Sequence, residues 1–290
     1  MTHPPAGPGR EPGTTRFDAI YDCPDPRPYF TALRPLEYRT PHHAQGLFRR
    51  LAARLRTLDG RPPVVLDVCC SYGVNAALIN HEVTLDELYE RYTGPATAAL
   101  SSAELVAADR RWFADRRRPD AVPVTGLDVA ARAVAYARAA GLLDAAFAEN
   151  LETGAPGPGL LRAARRARLI TVTGGTSFLT ARTLAALVAA AGEPPWVAAF
   201  WLRTLPYEPI ARALAAHGLR TETVAARTYP QRRFTDAEER DWALAAVAAA
   251  GADPRGRESE GYYHAALHVS RPARDVAAVP LAELLEDGSG

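Results

Sequence analysis

Residues 64–76 read VVLDVCCSYGVNA: an apolar run, an acid at Asp67, then a bend of two cysteines, a serine, a tyrosine and a glycine. The run is short and does not alternate, which is the pattern of a strand buried on both faces of a parallel sheet. Ligands of such sheets lie beyond the carboxyl ends of the strands. The fold reading therefore turns on whether residues 69–73 form a ligand-facing bend or an ordinary loop. Comparable runs occur at 122–127 (VPVTGL), 169–173 (LITVT) and 196–202 (WVAAFWL). Alanine-rich stretches at 130–140, 180–191 and 208–217 predict helices, each followed by a glycine (Gly141, Gly192, Gly218) placed to end it with a positive φ.

The alternation predicts an α/β chain with a doubly wound sheet. Its end is different. Residues 219–227 and 261–270 alternate as strands, and Thr235 with Glu238 forms a capping-box pattern opening a helix to about Ala250. Two closing strands around a helix are expected to pair antiparallel at the sheet edge.

The second strand closes on Asp128, whose carboxylate offers only acceptors and so suits a vicinal diol, which supplies two donors. Fifty-five positions separate Gly73 from Asp128, whereas a dinucleotide fingerprint puts its acid about 20 residues on. Something is inserted. Two capping boxes, Thr84 with Glu87 and Ser101 with Glu104, open helices in the insert, one striped by Leu85, Leu88, Tyr89 and Tyr92 and the other by Leu105, Ala108 and Trp112. The insert reads as a helical cap over the pocket, with packing alone as the other reading.

Composition narrows the chemistry. A 290-residue chain that is 48% hydrophobic can build one large α/β domain or two small ones. A net charge of +1 carries no broad footprint for nucleic acid or an anionic membrane. All 34 basic residues are arginine, so Schiff-base and lysine-base mechanisms are excluded. Cys23, Cys69 and Cys70 are odd in number with two adjacent, a pattern that fits a reducing, cytoplasmic setting better than bridges or zinc. Residues 1–15 lack a signal-peptide core and read as a disordered tail, and no run is long enough for a membrane span. NHEVTL (80–85) lacks the second histidine of a zinc protease, no G-x-S-x-G elbow is present, and TGGTSF (173–178) has neither lysine nor Walker spacing. No metal site is expected.

The pieces VVLDVCCSYG, TGLDVAARAVAYARAAGL, FAENLE and LITVTGG, in that order, resemble the class I S-adenosylmethionine-dependent methyltransferases over roughly residues 61–271. The resemblance implies a seven-stranded Rossmann-like methyltransferase sheet with an antiparallel last strand. It divides the chain into a tail (1–15), an N-terminal cap segment (16–60), a cofactor-binding domain (61–275, with 81–120 inserted) and a C-terminal tail (276–290), where LAELLEDGSG looks solvated. It implies S-adenosylmethionine as cofactor, with Asp67, Cys69, Ser71, Tyr72 and Gly73 around its methionine portion, Asp128 at the ribose, Glu149, Asn150 and Leu151 flanking adenine, and Thr173 and Gly174 at the end of the fourth strand. The family has glycine where Cys69 and Ser71 stand, a departure that small side chains tolerate. The Asn/Asp-Pro-Pro-aromatic signature of nucleic-acid amine methylation is missing.

In small-molecule members a leading segment folds over the cofactor. By that likeness Tyr21, Tyr29, Tyr38 and His42 are expected to line the site, with Tyr21 and Tyr29 on the substrate side and aromatic faces suiting a sulfonium cation. Ser177 is also expected on the substrate side, and if the cofactor is cyclised, Asn150, Ser177 and Tyr72 are expected to hold its aminobutyrate part. Proton-acceptor candidates are Tyr38, His42, His43, Tyr207 and His264, with Tyr38, His42 and Tyr207 preferred and His264 read as structural. The expected function is in-line methyl transfer to a small molecule, without nucleic-acid or membrane partners and with a homodimer as the assembly. Two other readings stand beside it: cyclisation of the cofactor to azetidine-2-carboxylate with release of methylthioadenosine, and a catalytically silent cofactor-binding partner.

Overall fold

The computed structural model describes residues 17–285. The tail read at 1–15 lies outside the described residues, as do 286–290. Seven strands, β1 (Val64–Val68), β2 (Val124–Asp128), β3 (Ala145–Ala148), β4 (Ala167–Val172), β5 (Trp196–Leu202), β6 (Leu219–Arg233) and β7 (Tyr262–Pro272), form one sheet in the order β3-β2-β1-β4-β5-β7-β6. The first five run parallel; β7 lies antiparallel between β5 and β6.

Three helices precede the sheet, α1 (Asp18–Tyr21), α2 (Arg27–Leu33) and α3 (Thr40–Asp59). The connection from β1 to β2 holds α4 (Val74–Asn80), α5 (Leu85–Thr93), α6 (Pro95–Ala98) and α7 (Ser102–Ala114). Between later strands come α8 (Ala131–Ala139), α9 (Pro158–Ala164), α10 (Ala181–Ala190), α11 (Glu208–Ala215) and α12 (Ala237–Ala249), and α13 (Ala273–Ala278) and α14 (Leu281–Leu285) follow β7.

Alternate strand residues divide the core, as a two-residue side-chain period requires. Val65, Val124, Leu169, Phe200 and Leu267 pack under α3, α4 and α8. Leu66, Leu127, Ile170, Ala199 and Trp201 pack under α9, α10 and α11. Gly126 in β2 is where two elements come closest: a Cβ there would sit 2.6 Å from Leu143 Cδ1 and 2.7 Å from Cys70 Sγ. Gly126→Ala is expected to cost about 2 kcal/mol by overpacking, read as a lowered urea midpoint; an unchanged midpoint would show that the bend yields freely.

Several local expectations are corrected. Both insert capping boxes form as read, Thr84 with Glu87 and Ser101 with Glu104. The late helix instead starts one residue on: Asp236 accepts the Glu239 N–H at 2.8 Å, and Glu239 accepts the Thr235 N–H. Asp236 wins because it supplies the cap acceptor itself. Gly141 and Gly218 have φ of 81° and 79°. Gly192 is absent from the positive-φ glycines and serves close approach, since a Cβ there would lie 2.9 Å from the Arg165 carbonyl. β6 runs to Arg233, beyond the expected 227, across a register break between Thr223 and Thr228. The stretch read as a C-terminal tail is not solvated through 285: Leu281, Leu284 and Leu285 are buried, and the Leu284 carbonyl accepts from Arg50 Nε at 2.9 Å. A leucine triplet on so short a helix buries one face without a long periodic signal.

Candidate active site

The bend after β1 keeps glycine geometry without glycine. Cys69 and Ser71 have φ of 57° and 47°, and Gly73 has 77°. Each non-glycine residue in the left-handed region costs roughly 1–2 kcal/mol, so the surroundings must hold the bend. They do so through β2: Cys70 N–H donates to the Leu127 carbonyl at 3.2 Å, and Ser71 N–H donates to Asp128 Oδ2 at 2.8 Å. Asp128 Oδ1 accepts the Ala130 N–H at 3.0 Å. Burial pushes the Asp128 carboxyl above the usual range, against these hydrogen bonds. Cys69 also fills the space beside the β4 loop, where a Cβ on Gly175 would collide with its sulfur.

Below the bend lies a buried polar network. Asp67 Oδ1 accepts from Thr171 Oγ1 at 2.7 Å and Asn75 Nδ2 at 2.8 Å, and Asn75 Nδ2 also reaches Thr173 Oγ1 at 2.9 Å. Asp67 Oδ2 and Ser71 Oγ are buried with no partner among the described residues. A carboxyl oxygen left in that state asks for a hydrogen-bond partner, an acceptor while it is protonated and a donor once it is ionised. Burial, aided by the Asp128 charge, raises Asp67 from 3.8 to about 7.

The folded chain thus keeps a proton on Asp67 in a range where the unfolded chain has lost it. Stability is expected to fall as pH rises from about 4 to 7, then level off. Asp67→Asn should flatten that slope in urea titrations at pH 5 and pH 8; an equal slope in both proteins would assign the dependence elsewhere.

The N-terminal segment and insert cover this end of the sheet with tyrosines. Tyr29 is 4% exposed, with Tyr21 at 5.6 Å and Tyr72 at 5.8 Å between ring centroids. Burial raises the Tyr29 phenol, and Tyr38, Tyr21, Tyr89 and Asp128 act on it electrostatically. Tyr38 hydroxyl points at the Thr173 carbonyl, 3.4 Å away, and would lie 3.2 Å from a Cβ on Gly174. Tyr89 hydroxyl donates to the Tyr38 carbonyl at 3.0 Å, tying insert to leader. A cavity of about 330 Å³ opens beside Tyr38 and Tyr89, edged by Arg34, Arg39, Glu37 and Asp86.

The structure therefore brings together Asp67, Cys69, Ser71, Gly73, Asp128, Thr173, Gly174, Tyr29 and Tyr38, with Tyr21 in the same cover. Other expected site residues are placed differently. Tyr72 points into the N-terminal segment, where its hydroxyl accepts the Cys23 N–H at 2.9 Å and its ring packs on Tyr136. Glu149 and Asn150 cap their own loop, accepting N–H groups of Gly157 at 2.7 Å and Glu152 at 3.0 Å, although the Glu149 N–H still reaches the Asp128 carbonyl. Leu151 is core and Ser177 is exposed. Tyr207 lies under α11, stacked at 3.8 Å on His268, because aromatic burial outweighs its place in a loop.

His42 is exposed, whereas its neighbour His43 turns inward against Tyr229 and the Pro230 backbone. Burial lowers His43 to about 4, so it is neutral. Burial pushes Tyr38 well above an ordinary phenol, which works against a role as base. His264 accepts or donates at Thr228 Oγ1, 3.0 Å away, as a structural histidine. Sequence reading missed Asn75 and Thr171, which carry no motif, and Val129, 65% exposed beside Asp128.

Seven strands with an antiparallel last one are what the sequence resemblance implied; the structure adds that β7 lies between β5 and β6, beyond a β3-β2-β1-β4-β5 parallel run. The fold is that of the class I methyltransferases.

No protein-family model matches the chain, and no curated protein matches it in sequence. Among solved structures, it is similar to an S-adenosylmethionine-dependent methyltransferase of Geobacter sulfurreducens in complex with S-adenosyl-L-homocysteine, at 14% identity and a TM-score of 0.38, covering 84% of this chain and 98% of that one. It is also similar to magnesium protoporphyrin IX methyltransferase of Synechocystis PCC 6803 with its bound donor, at 13% identity and a TM-score of 0.34, covering 79% and 80%. A functionally unknown protein of Deinococcus radiodurans R1 is 16% identical with a TM-score of 0.35, covering 72% and 78%. Among the described residues no group of side chains has metal-site geometry, and no helix is long and apolar enough to cross a membrane.

Proposed function

We propose that the chain binds S-adenosylmethionine and transfers its methyl group in line to a small molecule. The observation that carries this reading is the 2.8 Å hydrogen bond joining the strained bend to Asp128, which sets an acceptor-only carboxylate beside a concave turn. The residues fit the cofactor. Asp128 accepts the ribose hydroxyls, the unpartnered Asp67 Oδ2 and Ser71 Oγ face the polar methionine portion, and Val129 offers adenine an apolar neighbour. Tyr21, Tyr29 and Tyr38 give the cationic sulfur aromatic faces.

The cofactor supplies a methyl group already activated on a sulfonium, so this chain need only align the acceptor and exclude water. The tyrosine cover serves exclusion. Tyr38, which keeps its proton, orients an acceptor as a hydrogen-bond donor. The same enclosure favours a second reading, in which the cofactor's own amine is the nucleophile and methylthioadenosine leaves.

Incubating the purified protein with S-adenosylmethionine alone separates these readings. Saturable binding without turnover is expected for transfer to an absent acceptor, and methyl transfer then appears when candidate small molecules are supplied. Methylthioadenosine would establish cyclisation instead, and absence of binding would remove both. The proposed setting is cytoplasmic, with a homodimer as the assembly to look for by light scattering.

A further inference from the structure

At the opposite end of the sheet, under the amino ends of the strands, lies a groove of about 650 Å³ with a different character. Its walls carry Arg61, Arg117, Arg165, Arg166 and Arg168, against two carboxylates, Asp144 and Glu193. Its floor is apolar, from Pro62, Val64, Val122 and Pro123.

The two acids are already engaged. Asp144 Oδ2 accepts the Val124 N–H at 2.8 Å, and Glu193 lies 3.8 Å from Arg61 and 3.6 Å from Arg168. Arg168 is also gripped by Asp59 at 2.7 Å and 3.1 Å, and by the Pro194 carbonyl, which fixes its guanidinium in the wall. Arg117, Arg165 and Arg166 have no carboxylate partner among the described residues. The carboxyl ends of α3 and α9 offset part of the charge, since cations are favoured there. They account for Arg61, Arg165 and Arg166, and Asp59 with Glu193 balances Arg168, which leaves Arg117 as the cation without an offset among the described residues. A concave site of this size lined by several guanidinium groups suits a ligand that accepts bidentate hydrogen bonds.

We infer that this groove is a second binding site, remote from the candidate active site, for a small phosphate-bearing polyanion. Arg168 forms its rigid wall, and Arg117, Arg165 and Arg166 close on the anion.

Inorganic tripolyphosphate is the probe, because it resembles no part of the proposed cofactor. Calorimetric titration of the full chain at low salt is expected to give saturable binding that weakens as salt rises. Arg165→Glu with Arg166→Glu should weaken binding by roughly thirtyfold, from two lost charge-assisted contacts. Arg110→Glu with Arg220→Glu makes the same net-charge change on exposed positions outside the groove and should change it less than about twofold. Both pairs are exposed, so each variant should fold; thermal melts check this. Absence of saturable binding, or equal weakening in the two variants, would overturn the inference.

Discussion

Replacing Asp109 by alanine is expected to cost about 3–5 kcal/mol of stability, the scale on which a buried ion pair loses one partner. Asp109 is fully buried in α7. One oxygen receives Arg91 Nε at 2.7 Å and Nη2 at 2.6 Å; the other receives the Tyr92 hydroxyl at 2.9 Å and the Tyr136 hydroxyl. Arg91 is also held over the Trp112 ring at 4.5 Å, so it cannot leave easily for water. The carboxylate thus joins α5, α7 and α8. Its loss leaves a guanidinium and two phenols without their acceptor, and the insert should come away before the sheet unfolds. Urea unfolding measures the cost, and hydrogen exchange over 85–114 locates it. A loss under about 1 kcal/mol would mean that packing alone holds the insert.

The second large effect concerns Asp128. Asp128→Ala should weaken S-adenosylmethionine binding by about 1–3 kcal/mol, roughly five- to 150-fold, through lost charge-assisted hydrogen bonds. It also orphans the Ser71 and Ala130 N–H groups, so the bend itself should loosen. Asp128→Asn keeps one acceptor oxygen and should retain more of the bend than of the affinity. Calorimetry of the three proteins, beside their thermal midpoints, separates the two losses. Unchanged affinity in the alanine variant would remove the ribose role.

Sheet and helix order were legible because burial on both faces leaves unbroken apolar runs, as in Val64–Val68 and Trp196–Leu202, and because Thr84 and Ser101 announce their helices by spacing. The two acids were legible for a related reason: Asp128 is the last residue of its apolar run and Asp67 the last but one, a carboxylate set at the carboxyl end of a buried strand. The interior of the site was not. Asn75 and Thr171 meet Asp67 only after α4 and β4 have packed, and nothing in their sequence neighbourhoods marks them. Tyr72 and Tyr207 show the opposite error, since a tyrosine in a loop carries no local sign of whether its ring faces a ligand or the core. The choice between His42 and His43 is a matter of about 100° around α3, which adjacent positions in a sequence cannot settle.

Cys69 and Ser71 hold left-handed torsions that their side chains oppose, so the bend, closed by the Gly73 N–H on the Cys70 carbonyl, depends for its form on Leu127, Asp128 and the neighbouring β4 loop as well. Excised as a free peptide, residues 64–76 should relax into ordinary extended chain. The site's contour is a property of the assembled domain, and a fingerprint written in glycines would pass over it while the shape persists.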